Sequence, residues 1–338
     1  MKPEAIPETQ TVALTNKVSD SVDGIEIVDY PTPKITSSKD VIIKNLYGGV
    51  NFIDSYFRKG IYKASLPFIF GREASGTVVA IGDQVTNFKI GDKVAYLAPA
   101  TFAQYTKIND NAITVLNLGP AVGSNDLRLL AASLLQGLTA ITFVDIPYKV
   151  KKGDFVLIWA ASGGVGKILT QLVAMRGARG IALASTDEKL RQAKELGAEF
   201  TINYKSEKVL EKVLHITGGE GVQVSYDSVG RDTFEISLAS LCIGGTLVSY
   251  GNSSGVVPPF SINILSEKNV KLLRPTVLNY VASPDLWRHY TDALLTYIRT
   301  GDIKIDIGAA YFLREYKYAT KALESGSTTG KIIIDIPQ

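Results

Sequence analysis

The chain has 338 residues, 46% of them hydrophobic, and its 36 basic side chains nearly balance 33 acidic ones. A formal net charge of +3 disfavours a nucleic-acid or membrane-surface protein, and no apolar run reaches the ~18 residues of a membrane span. Cys242, His215 and His289 are its only cysteine and histidines and lie far apart in sequence, which excludes an internal disulfide and disfavours a zinc centre. With an N-terminal MKPEAIPETQ that lacks an apolar signal core, this points to a reducing, cytoplasmic setting.

Residues 10–135 read as β-rich. Val41–Leu46, Gly76–Ile81 and Asp92–Leu97 are short strand-like runs, punctuated by turn signals at Gly48-Gly49, Gly82-Asp83 and Gly91-Asp92. Regular helical periods are lacking there, which suggests a barrel-like or irregular β unit. From about 135 to 277 the texture changes. Phe155–Ala161 is an apolar run suited to a parallel strand buried on both faces. Val165–Arg176 places Val165, Ile168, Leu169, Leu172 and Val173 on one helical face, and Gly177 closes it. Gly180–Ala184 reads as a second strand, after which Ser185 and Glu188 fit a capping box for a helix ending at Gly197. Phe200–Tyr204, Val222–Tyr226 and Gly245–Tyr250 are further strands with helical stretches between them. Pro284–Arg299 predicts a helix, and Lys331–Ile336 a closing strand. Alternating strand and helix implies an α/β fold with a doubly wound parallel sheet, inserted between two parts of a β-rich domain.

The segment WAASGGVGK, residues 159–167, resolves between two phosphate-binding turns. A Walker loop needs glycine where Ala161 stands and a hydroxyl where Ile168 stands, so both of its chemical essentials fail. A Rossmann turn needs small residues for a tight bend, for approach to a diphosphate, and for helix–strand packing. Ala160, Gly163 and Gly166 supply them between a strand and an amphipathic helix. At the end of the second strand an NAD-specific protein places an acid for the ribose 2′-hydroxyl. Here the chain reads Ser185-Thr186, with Lys189 and Arg191 close behind, which suits the 2′-phosphate of NADPH. Asp187 is the contrary signal, and we expect it inside the following helix.

The segments NFIDSYFRKGIY (51–62), FGREASGTV (70–78), LLQGLTA (134–140), AASGGVGK (160–167), INY (202–204), YDSVGRDTFE (226–235) and SYGNSSG (249–255) resemble the zeta-crystallin-like quinone oxidoreductases of the medium-chain dehydrogenase/reductase superfamily. The resemblance covers almost the whole chain. It implies a GroES-like catalytic domain, residues 1–135 plus 278–338, around a Rossmann domain, residues 136–277, with a homodimeric assembly and a quinone held in a cleft between the domains. It further implies that Asn51 and Tyr56 line the nicotinamide side, that Asp54 orients its neighbours, and that Thr139 lies near the cofactor. Gly163, Gly164 and Val165 would surround the diphosphate, and Lys189 and Tyr204 would meet the 2′-phosphate. Ser228 would end the fourth strand, with Tyr250, Gly251 and Asn252 near the nicotinamide ribose and amide. Some relatives bind AU-rich RNA, which the absence of a basic stripe in this chain does not favour. Three positions depart from the family. Tyr250 replaces a phenylalanine of some relatives, Gly326 replaces an arginine near the cofactor, and Arg72 stands where zinc alcohol dehydrogenases carry a ligand histidine.

Reducing a simple ketone requires a metal or a positioned acid to stabilise an alkoxide. A quinone instead gives a delocalised quinolate that water protonates, so its reduction needs mainly orientation, and an activated enone or enal is the alternative acceptor. Tyr56 and Tyr62 are suited either to stacking on a flat substrate or to packing a wall, with Asn51 or Tyr56 donating to a quinone oxygen. Two Tyr-x-x-x-Lys spacings, Tyr148/Lys152 and Tyr204/Lys208, read as chance matches, and His215 and His289 as surface or packing residues.

Overall fold

The computed structural model describes residues 5–338; Met1–Glu4, part of the N-terminal segment considered for a signal core, lie outside it. The chain divides into two compact units. One comprises residues up to Leu135 together with Ala282–Thr291 and Ile305–Gln338, and the other Gln136–Val281 with Asp292–Lys304.

The second unit is built on six parallel strands: Phe155–Ile158, Arg179–Ala184, Phe200–Asn203, Val222–Asp227, Leu241–Ser249 and Lys271–Leu273. Across the sheet they run third, second, first, fourth, fifth, sixth. The order reverses beside Phe155–Ile158, and in doubly wound sheets the crevice at such a reversal takes the ligand. Val156, Leu157, Ile158, Ile181, Ala182 and Leu183 are fully buried, as strands covered by helices on both faces require. The helix after the first strand spans Gly164–Met175 and buries Ile168, Leu169, Leu172 and Val173 of the stripe read from the sequence, with Val165 half-buried at its start.

Among the boundaries that differ from expectation are a helix cap and a strand start. The helix Asp187–Glu195 is capped by Thr186, whose hydroxyl accepts the Lys189 amide at 3.3 Å, and not by Ser185. Strand pairing is the cause: the Tyr204 amide donates to Ala184 O at 3.2 Å, and the chain stays extended through Thr186. Glu188 then bonds Arg191 and Gln192 in place of closing a capping box. The fifth strand begins at Leu241, four residues before Gly245, and its pairing with the fourth strand shifts register over that stretch.

The first unit carries a seven-stranded mixed sheet. Ile307–Phe312, Lys331–Asp335, Asp40–Gly49, Glu73–Ile81, Lys93–Leu97 and Val115–Gly119 lie in that order, and Tyr105–Asn109 pairs with Asp40–Gly49. A three-stranded sheet of Glu26–Pro31, Thr9–Thr15 and Phe68–Ile69 accompanies it. The strand at Asp40 runs through Gly48-Gly49 and does not turn there. Those glycines serve close approach: a Cβ on Gly48 would stand 2.8 Å from the Phe102 ring, and one on Gly49 would stand 2.2 Å from Glu73 Oε1. Two helices in the region read as β-rich escaped the sequence, Phe52–Arg58 and Ser124–Phe143. The second is buried almost continuously from Leu130 to Val144, so it shows no amphipathic stripe to read. Near the C-terminus Ile307–Phe312, the helix Tyr316–Glu324 and Lys331–Asp335 form a parallel strand–helix–strand unit, of which only the last strand was expected.

Candidate active site

The glycine turn leaves the first parallel strand at Trp159. Ala160 has φ +50°, a left-handed conformation that residues with a Cβ rarely adopt, and its carbonyl accepts the Gly163 amide at 2.9 Å. A Cβ on Gly166 would stand 2.3 Å from Ala160 O and 2.8 Å from Ala161 Cα, both backbone atoms, so the helix can sit this close only with glycine there. Gly164, Val165 and Gly166 form the first helical turn, where no intrahelical carbonyl reaches the amides, and that turn carries no acidic side chain. A helix start of this kind is suited to an anionic group. A Gly164 Cβ would overlap the Gln136 carboxamide, which therefore lies over the start of the helix.

Beyond the second strand, Ser185 is half-buried and Lys189 is buried. Burial, and secondarily the Lys205 ammonium, hold Lys189 below the ordinary lysine range. Tyr204 is 40% exposed, and its ring lies 6.0 Å from that of Trp159. The corner therefore gathers two ammonium groups, a phenol and the hydroxyls of Ser185 and Thr186. Lys205 was missed by the sequence reading, although it directly follows Tyr204. The Tyr-x-x-x-Lys spacings have other bonds: Lys208 pairs with Glu211 at 2.8 Å, and Tyr148 donates to Asp154 at 3.0 Å. Burial first, and then that carboxylate, push the Tyr148 phenol well above its ordinary range.

At the ends of the fourth and fifth strands, the buried Asp227 carboxylate accepts the amides of Val229 and Gly230 and the hydroxyls of Thr233 and Ser237, at 2.6–3.0 Å. It thereby fixes the turn that carries Ser228. Tyr250 N donates to Asp227 O at 2.8 Å, and Ser253 N to Ser228 O at 3.3 Å, so the two strand ends are stitched together. Arg274, which had no sequence signal beyond a lone cation, bonds Ser249 Oγ at 3.1 Å and Gly251 O at 2.9 Å. The Tyr250 ring meets Phe143 edge-on at 5.3 Å. Thr139, one turn earlier on the same helix, is buried, as is Asn252.

In the first unit, Asn51 precedes the short helix and is buried in a network the sequence did not disclose. Its Nδ2 donates to Gly49 O at 3.0 Å and to Glu73 Oε1 at 2.8 Å, while its Oδ1 accepts from Lys331 Nζ at 2.8 Å. Lys331 also pairs with Glu73 Oε1 at 2.5 Å, and Glu73 Oε2 accepts the Leu135 amide at 2.8 Å. Lys331 and Glu73 are almost wholly excluded from solvent. Burial pulls the Lys331 ammonium below its usual range, against the opposing pull of Glu73 and Asp54. Asp54, also buried, accepts the Gly71 amide at 2.9 Å and so ties the helix to the FGREASG segment. Its second oxygen has no hydrogen-bond partner, and desolvation raises the carboxyl to about 6. Tyr56 and Tyr62 pack edge-to-face on each other at 5.5 Å. Arg72 lies over the Phe57 ring at 4.2 Å. Among the described residues no group of three or more His, Cys, Asp or Glu could hold a metal ion. His215 and His289 are exposed on helices.

Residues 37–125 match the alcohol dehydrogenase GroES-like domain family, and residues 164–294 the zinc-binding dehydrogenase family, which makes the class a dehydrogenase or reductase on a GroES-like and Rossmann fold. A probable quinone oxidoreductase of Schizosaccharomyces pombe is 39% identical over 92% of each chain. A quinone oxidoreductase of Pseudomonas aeruginosa is 37% identical over 92% of this chain and 96% of its own. The crystal structure of Escherichia coli quinone oxidoreductase complexed with NADPH matches at 34% identity and a TM-score of 0.90, covering 96% of this chain and 99% of that one. The chain belongs to the quinone oxidoreductase family of the medium-chain dehydrogenase/reductase superfamily.

Two stability predictions follow from the buried charges. Asp54 titrates near 6 in the folded protein against 3.8 in the reference state, so folding binds a proton between these values and stability falls as pH rises through them. Asp54→Asn should flatten that slope in urea melts from pH 4 to 7; an unchanged slope would remove the assignment. Lys331→Met should cost about 3–5 kcal/mol by stranding Glu73, and Glu73→Gln/Lys331→Met should recover much of the loss. Equal losses in the single and double variants would refute the coupling.

Proposed function

We infer that this protein is an NADPH-dependent quinone oxidoreductase. The observation that carries the reading is the glycine turn at Ala160–Gly166, opening an acid-free helix turn, together with the buried Lys189, in a chain similar over nine-tenths of its length to quinone oxidoreductases. We assign Ala160, Gly163, Gly164, Val165 and Gly166 to the cofactor diphosphate, and Ser185, Lys189 and Tyr204 to its 2′-phosphate. Thr139, Ser228, Tyr250, Gly251 and Asn252 are assigned to the nicotinamide ribose and amide. The small side chains and acid-free helix turn fit an anionic ligand, and the cationic second-strand corner fits a third phosphate.

Bound NADPH supplies a hydride. What the chain itself must supply is orientation, because the reduced quinone is stabilised by delocalisation and takes its proton from water. The bonds from Asn51 Nδ2 to Gly49 O and Glu73 Oε1 occupy both hydrogens of that amide, so the carboxamide serves as a fixed wall, and we assign donation to the quinone oxygen to the Tyr56 hydroxyl. Tyr62 supports the Tyr56 ring from its edge, and Asp54 holds the segment bearing Arg72 and Glu73.

We also propose a homodimer. Lys271–Leu273 is the edge of the parallel sheet, and the connection leading to it exposes Val256, Phe260 and Ile262, the last 74% exposed. Sedimentation equilibrium at micromolar concentration should give twice the chain mass; a monomer would overturn this.

Oxidation of NADPH followed at 340 nm across 1,2- and 1,4-quinones should show turnover, with kcat/KM above that for enals. A preference for enals would make the protein an enone reductase, and no turnover combined with tight AU-rich RNA binding would make it a binding protein. Lys189→Ala should weaken NADPH by about ten- to a hundredfold while NADH changes little. Equal losses for the two cofactors would remove its role.

A further inference from the structure

Asp187 is the residue that contradicts an NADPH reading when the sequence stands alone. It is the first residue of the helix after Thr186, close to where NAD-specific sheets carry the acid that accepts from the ribose 2′-hydroxyl. A carboxylate free to lean into that corner would repel a phosphate ester there. In the structure Asp187 Oδ1 accepts a hydrogen bond from Asn203 Nδ2 at 3.0 Å.

Asn203 is placed for this by the sheet. It is the last residue of the third strand and pairs in register with Ala184, the last residue of the second, so its side chain leaves the sheet beside the segment 185–187. Its carboxamide is not free to turn over. Oδ1 accepts the Lys205 amide at 3.2 Å, which directs the NH2 group to Asp187. The backbone is pinned as well: the Asn203 amide donates to Glu207 Oε2 at 2.8 Å, and its carbonyl accepts the amides of Ser206 and Glu207. The neighbouring acid, Glu188, is bonded to Arg191 and Gln192. Lys189, Tyr204 and Lys205 then make the cationic and phenolic part of the same corner.

We propose that Asn203 is a specificity-determining positioning residue, which holds the Asp187 carboxylate against the end of the third strand and so keeps it off the 2′-phosphate of the cofactor. The inference rests on the NADPH reading above. It accounts for how an acid is tolerated two residues from Lys189, and it gives the middle residue of the INY segment a role distinct from that of Tyr204.

The test is the dissociation constant of each cofactor, measured by calorimetry without quinone, for the wild type, Asn203→Ala, Asp187→Ala and the double variant. Asn203→Ala should weaken NADPH by roughly three- to tenfold, the size of one ordinary hydrogen bond, and leave NADH unchanged. Asn203→Ala/Asp187→Ala should restore NADPH binding to within twofold of Asp187→Ala, because the released acid is gone. Asn203→Ser, whose hydroxyl can still accept the Lys205 amide but is too short to reach Asp187, should reproduce the loss if Asn203→Ala folds poorly. Equal weakening of both cofactors, or a loss that persists in the double variant, would make Asn203 a structural residue and overturn the proposal. Wild-type protein that binds NADH as tightly as NADPH would instead overturn the cofactor reading itself.

Discussion

Glu73 and Lys331 come from positions 258 residues apart and meet in a place that water does not reach. Two charges are expensive to bury, and they persist only when each is matched and each remaining polar atom is bonded. Here the matching draws in four segments: the strand bearing Glu73, the C-terminal strand bearing Lys331, the Gly49–Asn51 stretch, and the Leu135 amide of the long helix. The space for it exists only because Gly49 has no side chain. Asn51 inherits its orientation from this network, as Lys331 takes its oxygen and Glu73 one hydrogen of its amide. The wall of the proposed substrate site is thus set by groups that touch no substrate.

The Rossmann unit works by a different economy. It presents backbone amides at a helix start and keeps acids out of that first turn. Asp227 shows the complementary use of a carboxylate: fully bonded and buried, it serves to shape the turn at Ser228. Asp187 lies between these cases, an acid near the surface whose effect depends on which neighbour bonds it. Charge in this protein is sorted by hydrogen bonding more than by composition, which is nearly balanced.

The alternation of apolar runs and helical stripes determined the parallel sheet, because strands buried on both faces must be apolar throughout and their covering helices must carry one apolar side. The letters at 160–166 determined the tight strand-to-helix turn, since a side chain at Gly166 would meet the backbone of Ala160 and Ala161. The helix Ser124–Phe143 was hidden for the reason that revealed the strands: burial on nearly every side erases periodicity. A glycine pair misled at Gly48-Gly49, where the strand continued beside a close neighbour. Only tertiary structure decided that Asn51 is clamped between Glu73 and Lys331, that Arg274 bonds Gly251, and that Asn203 takes hold of Asp187. A local pattern records whether a residue is apolar, small or charged. Which distant group satisfies a polar atom is settled by sheet register and chain return, and neither leaves a mark on the neighbouring letters.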